Sequence, residues 1–291
     1  MRTQEKRATR FRSIQTSLLF VIVPAVIISM AVLSLMGYLS SKAIIQTSAG
    51  TEMSQCLSVA MGSIEMSLSN NRMVAETMAR GVEAIQRQAV KGDQTASDWD
   101  AAAYQEILTS FVGSNPETFG GGIWFEPYQY RPEQRYFSPY CMRQNGADTY
   151  VDNYSLGEGV YYTDQDWYTN AANTTQKSVW SAPYYDEFAQ ISMVTSSAPI
   201  YDETGRLLGV ATADIDLTQM QQMVLSLDVV ANGRAFLIDD TGVYIADEDS
   251  EKLLSANILE DDNPSFAALG RQILSQQEGS STGASVSASL R

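Results

Sequence analysis

The stretch that decides the fold is residues 161–216. It contains Trp167-Tyr168, then Trp180-Ser181-Ala182-Pro183-Tyr184-Tyr185-Asp186, then Gly209-Val210-Ala211-Thr212-Ala213-Asp214-Ile215-Asp216. Rings and carboxylates alternate here with short apolar runs, a pattern that suits a small concave pocket walled by aromatics and closed by a few acids. Such a lining holds an ammonium group, because ring faces and carboxylates both attract it while the rings exclude water. The plainer reading of the same residues is packing: Trp and Tyr in strands fill cores, and isolated Asp residues make turns. The rest of the chain weighs on that choice.

Working outward, the Asp202-Glu203-Thr204-Gly205 turn joins two β-rich runs, 191–199 and 207–215, and predicts a hairpin. Short helices are expected at 167–172 and 218–227. On the N-terminal side, Gly120-Gly121-Gly122-Ile123-Trp124-Phe125-Glu126 and the runs at 136–140 and 149–154 read as strands between turn signals. Residues 99–112 read as a helix, after a turn at 91–98, with Ser97 or Asp98 as its cap. On the C-terminal side, 231–246 reads as a second hairpin turning at Asp239-Asp240-Thr241-Gly242, followed by a helix at 264–275 and a Ser/Gly/Ala-rich end. The order gives a mixed antiparallel sheet with helices on one side.

Residues 18–39 are apolar except for Ser29, Ser34 and Gly37 and carry no charge. As a helix they rise about 33 Å, enough to cross a bilayer core. The apolar run is longer than a signal peptide's and lacks a good cleavage site, so an uncleaved transmembrane helix is expected. Five basic residues against one acid precede residue 13, which places the N-terminus in the cytoplasm and the bulk of the chain outside. From 42 to 88 an apolar seam of Leu57, Met61, Ile64, Leu68, Ala75, Met78, Val82 and Ile85 recurs at helical spacing, broken only by Asn71. The seam either packs along the following domain or pairs with a second copy in a homodimer.

The charge is −15 overall, and the excess acid lies beyond the N-terminal segment. That argues against nucleic acid as a partner. With no histidine anywhere, the usual serine-hydrolase and cysteine-protease constellations and the main ligand of catalytic zinc are missing. No metal or cofactor motif is present. Cys56 reads as a small packing residue on the seam and Cys141 as part of a loop; nothing supports a disulfide between them.

With those residues in view, the chain resembles the double Cache sensor domains of bacterial transmembrane receptors. The likeness spans roughly residues 40–278 and is carried by Gly122-Ile123-Trp124-Phe125-Glu126, Asp166-Trp167-Tyr168-Thr169-Asn170-Ala171, the Trp180 to Asp186 stretch, the Ala198 to Asp216 stretch and Gly233-Arg234-Ala235-Phe236-Leu237-Ile238-Asp239-Asp240-Thr241-Gly242. It implies an α+β fold of two PAS-like modules behind a transmembrane helix and a long extracytoplasmic helix. The expected divisions are 1–13 cytoplasmic tail, 14–39 transmembrane helix, 40–112 helical connection, 113–227 membrane-distal module and 228–291 an incomplete membrane-proximal module. In the amino-acid-sensing branch the distal module binds the ligand. By resemblance Trp167, Tyr168 and Tyr162 line the pocket, while Tyr184, Asp186 and Asp214 meet the amino group. The branch grips the ligand carboxylate with an arginine where this chain has Gln165, and a tyrosine of the branch is Val160 here, with Tyr161 and Tyr162 adjoining. Gln165 offers neutral hydrogen bonds and no bidentate charged fork, so an amine, or an amino acid held by backbone amides and Gln165, fits better.

Individual residues carry plainer expectations. Trp180 is expected in the core, Asp239 and Asp240 in a turn, and Glu126 at a solvated strand end. Asp216 is expected to point away from Asp214, exposed or structural. A binding module, not an enzyme, is the first reading. A sensor for a carboxylate or purine, a hydrolase using Asp186 and Asp214 as acid and base, and a non-sensing surface protein stand as its rivals. Chemotaxis receptor, histidine kinase and cyclic-dinucleotide enzyme are equally open as outputs.

Overall fold

A computed structural model describes residues 14–91, 101–152, 154, 159–227 and 235–275. The expected cytoplasmic tail, most of the 91–98 turn, the first residues of the second hairpin and the Ser/Gly/Ala-rich end lie outside them. Helix α1 is Ile14–Lys91, with Pro24 inside it. The chain divides into two compact units at Ser54 and Gln55.

In the first unit the stretch of α1 from Ile22 to Leu39 is apolar on every side. Ile22, Val26, Ile27, Met30, Leu33 and Met36 are all exposed, and the described residues contain one helix long and apolar enough to cross a membrane. A helix that is hydrophobic all round needs an apolar surrounding. The hydroxyl of Ser29 donates back to the Ala25 carbonyl at 2.8 Å, which keeps a polar group satisfied without water.

The second unit is built on an antiparallel sheet. Its strands are β1 (Gly120–Phe125), β2 (Tyr140–Gln144), β3 (Ala147–Val151), β4 (Val179–Trp180), β5 (Tyr184–Asp186), β6 (Ile191–Tyr201) and β7 (Leu207–Asp216). They run in the order β3-β2-β1-β7-β6-β4, with β5 also on β6. The β6–β7 hairpin turns at the predicted residues, where the Asp202 carboxylate accepts from the Thr204 and Arg206 amides and Gly205 takes a positive φ.

Two expected strands sit elsewhere. Residues 136–139 run beside β1 and give it the Phe137 and Pro139 carbonyls, but Pro139 has no N–H to return, so the ladder begins only at Tyr140. The strand expected at 149–154 lies at Ala147–Val151, because Asn145 and Gly146 form a tight turn with positive φ directly after β2. Cys141, expected in a loop, is fully buried in β2; both cysteines are free thiols.

One face of the sheet receives helices. Val74, Ala75, Met78, Ala79 and Val82 of α1 and Tyr104, Leu108 and Val112 of α2 (Ala101–Ser114) pack on Ile123, Phe125, Cys141, Ala198, Ile200, Ala211 and Ala213. The apolar seam therefore lies along the domain that follows it. Asn71, its one interruption, is fully buried: its side-chain amide donates to the Ser67 carbonyl and its carbonyl accepts from the Thr118 hydroxyl at 2.8 Å. Buried polar atoms must find such partners. Glu83 of α1 likewise accepts from the Tyr201 amide at the end of β6.

The opposite face carries α3 (Asp166–Ala172) and the aromatic cluster described below. Helix α4 (Leu217–Leu225) then leads toward a smaller part, with β8 (Leu237–Ile238), β9 (Tyr244–Ala246) and α5 (Pro264–Ser275). Asp239 accepts from the Thr241 and Val243 amides, the turn role expected of it. Ile64 and Leu68 of α1, Val194, Ile215 and α4 meet Leu237, Ile245 and Ala246 in a second core, against which Trp180 is half-buried.

Candidate functional site

Strand register explains the site. Residues 120, 122 and 124 of β1, 210, 212 and 214 of β7, and 195 and 197 of β6 fall on one face, since Gly120 and Thr195 both pair with Asp214 and Ser197 pairs with Thr212. That face is polar at its centre: Thr195, Ser197, Thr212 and Asp214 are all buried. The β1 glycines make room above it. A Cβ on Gly120 would overlap the Tyr140 phenol, and one on Gly122 would lie 2.6 Å from the Trp124 indole. Only glycine lets these rings fold across the sheet.

Trp124 is the hub. Its indole N–H donates to the Thr212 hydroxyl at 2.8 Å, and its ring lies 4.8 Å from Trp167, 5.3 Å from Tyr154, 5.5 Å from Tyr162 and 5.9 Å from Tyr140. Helix α3 delivers Trp167 to this cluster from above. Tyr162, in the short turn before it, is fixed by a hydrogen bond to the Phe125 carbonyl.

Asp214 lies at the base, 3 % exposed. Its Oδ2 accepts from Tyr140 at 2.7 Å and its Oδ1 from Thr195 at 2.7 Å; Thr195 in turn shares a 2.8 Å hydrogen bond with Tyr184. Burial raises the carboxyl to about 7. The two hydroxyl donors pull it down, and the neighbouring Asp186 charge pushes it further up. Asp186 is buried too, and its Oδ1 takes three donors: the Tyr154 hydroxyl and the amides of Phe188 and Ala189. Tyr154 and Tyr140 stand ring to ring at 4.8 Å, so the two acids are joined by phenols. Burial and the adjacent carboxylates hold Tyr140, Tyr154 and Tyr184 above the ordinary phenol range, so all three are donors at neutral pH. Among the described residues no lysine or arginine pairs with either acid, and Ser197 Oγ has no hydrogen-bond partner.

The structure thus brings Trp167, Tyr162, Tyr184, Asp186 and Asp214 to one cluster, together with Trp124, Tyr140, Tyr154 and Thr195, which the sequence reading did not single out. Two expected residues turn elsewhere. Tyr168 is buried beside Trp167, but its hydroxyl donates to Glu126 at 2.7 Å, toward an open groove of about 570 Å³ that Asn173 and Arg206 also line. Gln165 is partly exposed and its amide donates to the Tyr161 carbonyl at 3.3 Å. Asp216 shares the Asp214 face, as residues two apart on a strand must, contrary to expectation; it caps α4 by accepting from the Thr218 amide. Among the described residues no group of His, Cys, Asp or Glu is placed to hold a metal ion.

Residues 104–222 match the family model described as methyl-accepting chemotaxis protein-like, first PDC sensor domain. Over 84 residues the chain is 38 % identical to the methyl-accepting chemotaxis protein McpC of Bacillus subtilis, covering 29 % of this chain and 13 % of that protein. Over 208 residues it is 24 % identical to McpA of Pseudomonas putida, covering 69 % and 31 %. The ligand-binding domain of the Campylobacter jejuni chemoreceptor Tlp3, solved in complex with 4-methylisoleucine, shares the fold with a TM-score of 0.53 at 17 % identity, covering 76 % of this chain and 77 % of that one. The sheet and its helical backing share the fold of that ligand-binding domain, and the family model matched over 104–222 is that of a sensor module. More particularly, residues 104–222 form a PDC/Cache-like sensor region similar to the first sensor domain of methyl-accepting chemotaxis proteins. The chain spans less than a third of the two curated relatives.

Proposed function

We propose that residues 113–227 are the membrane-distal, ligand-binding module of a transmembrane receptor, and that they take a small amine-bearing molecule with its ammonium group against Asp214. The observation that carries this reading is Asp214 itself: a carboxylate buried beside aromatic rings and held by two hydroxyls, with no cationic partner among the described residues. An ionised acid in such a place is costly until a cation joins it. Trp124, Trp167, Tyr154 and Tyr184 supply ring faces and phenol oxygens around that position, and Asp186 adds a second negative field.

The amino-acid ligand of the Tlp3 structure is consistent with an amino group in this place. Gln165 gives only neutral hydrogen bonds where a charged fork would hold a carboxylate, so amines compete well with α-amino acids here. Residues 14–39 anchor the module in the membrane with the N-terminus in the cytoplasm, and residues 228–291 form the membrane-proximal module. Because α1 packs directly on the sheet through Val74, Met78 and Val82, closure of the site on a ligand biases the helix that runs toward the membrane, within a homodimer.

Three isosteric probes test the charge logic: isoamylamine, leucine and 4-methylpentanoate carry the same branched chain with an amine, both groups, or a carboxylate alone. The full chain in detergent micelles is melted with each. A ligand at 100 times its dissociation constant stabilises by about 2.7 kcal/mol. The reading expects shifts with isoamylamine and leucine at neutral pH that vanish in Asp214→Ala. A shift with 4-methylpentanoate alone overturns it.

A further inference from the structure

Tyr184, Thr195 and Asp214 form a chain of hydroxyl and carboxylate groups whose links are 2.8 and 2.7 Å long. A threonine hydroxyl has a single proton to give. While Asp214 is ionised, Thr195 gives that proton to Asp214 Oδ1, so Tyr184 donates to Thr195 and keeps its lone pairs for the proposed ligand position. When Asp214 takes a proton from solvent on Oδ1, it becomes the donor. Thr195 then accepts from Asp214 and gives its own proton to Tyr184, which frees the phenolic proton of Tyr184 for the proposed ligand position. No bond other than O–H⋯O contacts changes, yet the group presented to a ligand changes from acceptor to donor.

The other oxygen of Asp214 offers no equivalent path. Tyr140 is 2 % exposed, and Asp214 is its only side-chain hydrogen-bond partner among the described residues, so a proton on Oδ2 would leave the phenolic proton of Tyr140 without an acceptor. Tyr184 lies at the margin of the aromatic cluster with its hydroxyl buried against Thr195, and on the amine-site reading its proton meets the ligand there. The groups facing Asp214 are few. Strand β1 presents Gly120, β2 presents Tyr140, the following segment Tyr154, β5 Tyr184 and Asp186, and β6 Thr195. Among the described residues all that can ionise here are acids or phenols, so the charged state of Asp214 is favoured by the Tyr140 and Thr195 hydroxyls alone until a cation binds.

We propose that Thr195 is the specificity-determining residue of this site: it converts the ionisation state of Asp214 into the hydrogen-bonding polarity of Tyr184, so that the site selects ammonium ligands when Asp214 is ionised and carboxylate-bearing ligands when it is protonated. This rests on the amine-site reading above. Burial brings the Asp214 carboxyl to about 7, so both states are populated near neutral pH. The module therefore reports a ligand's charge class jointly with external acidity.

The test is calorimetric titration of the full chain in micelles with isoamylamine and with 4-methylpentanoate, at pH 8 and pH 5.5. The ionised fraction of an acid titrating near 7 falls about 30-fold over that range, and the amine's apparent affinity falls with it. The carboxylate's affinity rises in the same interval. In Thr195→Val, Asp214 loses a donor, so the amine's pH profile moves to higher pH, and the carboxylate keeps only the gain in acid that comes from neutralising Asp214; Thr195→Ser restores the full gain. A merely structural role for Thr195 would weaken both ligands alike and leave the carboxylate its full gain in acid, which overturns the proposal. So does a wild-type carboxylate affinity that does not improve in acid.

A ligand-free arm separates this from failure of the underlying reading. Infrared spectra should show a protonated-carboxyl band at pH 5.5 that is lost at pH 8 and missing in Asp214→Asn. If the band is missing in the wild type while isoamylamine binds, the relay is wrong and the amine site stands. If the band is present and no probe binds at pH 8, the amine-site reading itself fails and takes the relay with it.

Discussion

Replacing Asp214 with Asn should stabilise the ligand-free protein, and by an amount that depends on pH. The carboxyl is raised from 3.8 to about 7, chiefly by burial, with Asp186 adding to the rise against the two hydroxyl donors. The native state therefore binds this proton more tightly than the unfolded chain does. Between those two values the native state holds more protons, so stability from this group is fully present below about 4 and is lost as pH rises through 7. At 1.36 kcal/mol per unit, the loss is about 4 kcal/mol. Asparagine has no proton to lose. Its amide fits the Tyr140 and Thr195 hydroxyls less well, but that penalty does not vary with pH, so the slope and not the offset carries the information. Urea unfolding followed by tryptophan fluorescence, at several values from pH 4.5 to 8, gives the difference between variant and wild type. The variant should gain on the wild type by several kcal/mol across the range, or on the order of 10 °C in Tm for a domain of this size. A difference that stays flat would mean that Asp214 ionises as it does in water, and the argument from a desolvated, cation-seeking acid would fall.

Gly122→Ala puts a methyl group 2.6 Å from the Trp124 indole, so it should cost about 1–3 kcal/mol and change the tryptophan emission as the hub ring is displaced. Asn71→Ala strands the buried Thr118 hydroxyl and should cost about 1–3 kcal/mol in urea unfolding, while leaving probe affinity in the folded protein unchanged. Gln165→Arg supplies the missing fork for a carboxylate; calorimetry should show leucine gaining on the order of tenfold, with isoamylamine unaltered.

Much of this molecule could be read from local signals. The Asp202–Gly205 turn has the chemistry that a hairpin needs, and α5 starts at Pro264 and ends at Ser275 as expected, because a proline is pre-set for a helix's first turn. Trp167 and Asp214 were named from the family likeness of the motifs that carry them, which the structure places on α3 and β7. What stayed hidden depends on pairing over distance. Thr195 is an ordinary strand residue until register sets it opposite Asp214, and the bulge between Ile200 and Tyr201 shifts that register by one residue. Tyr140 and Tyr154 sit in segments whose strand limits were set by Pro139 and the Asn145-Gly146 turn, so their approach to the acids could not be counted out. Asn71 marked a break in the apolar seam; its partner, Thr118, lies 47 residues away. The Gly120-Gly121-Gly122 run was readable as a strand, but not as the space into which two rings fold.

The central claim is that a cation completes the buried acid. A crystal structure of the ligand-sensing unit with isoamylamine at pH 8 tests it most directly. The account predicts the amine nitrogen about 2.7–3.1 Å from a carboxylate oxygen of Asp214, beneath Trp167 and beside Tyr184. An amine seated instead in the groove by Glu126 and Tyr168, with Asp214 still bonded only to Tyr140 and Thr195, would contradict it.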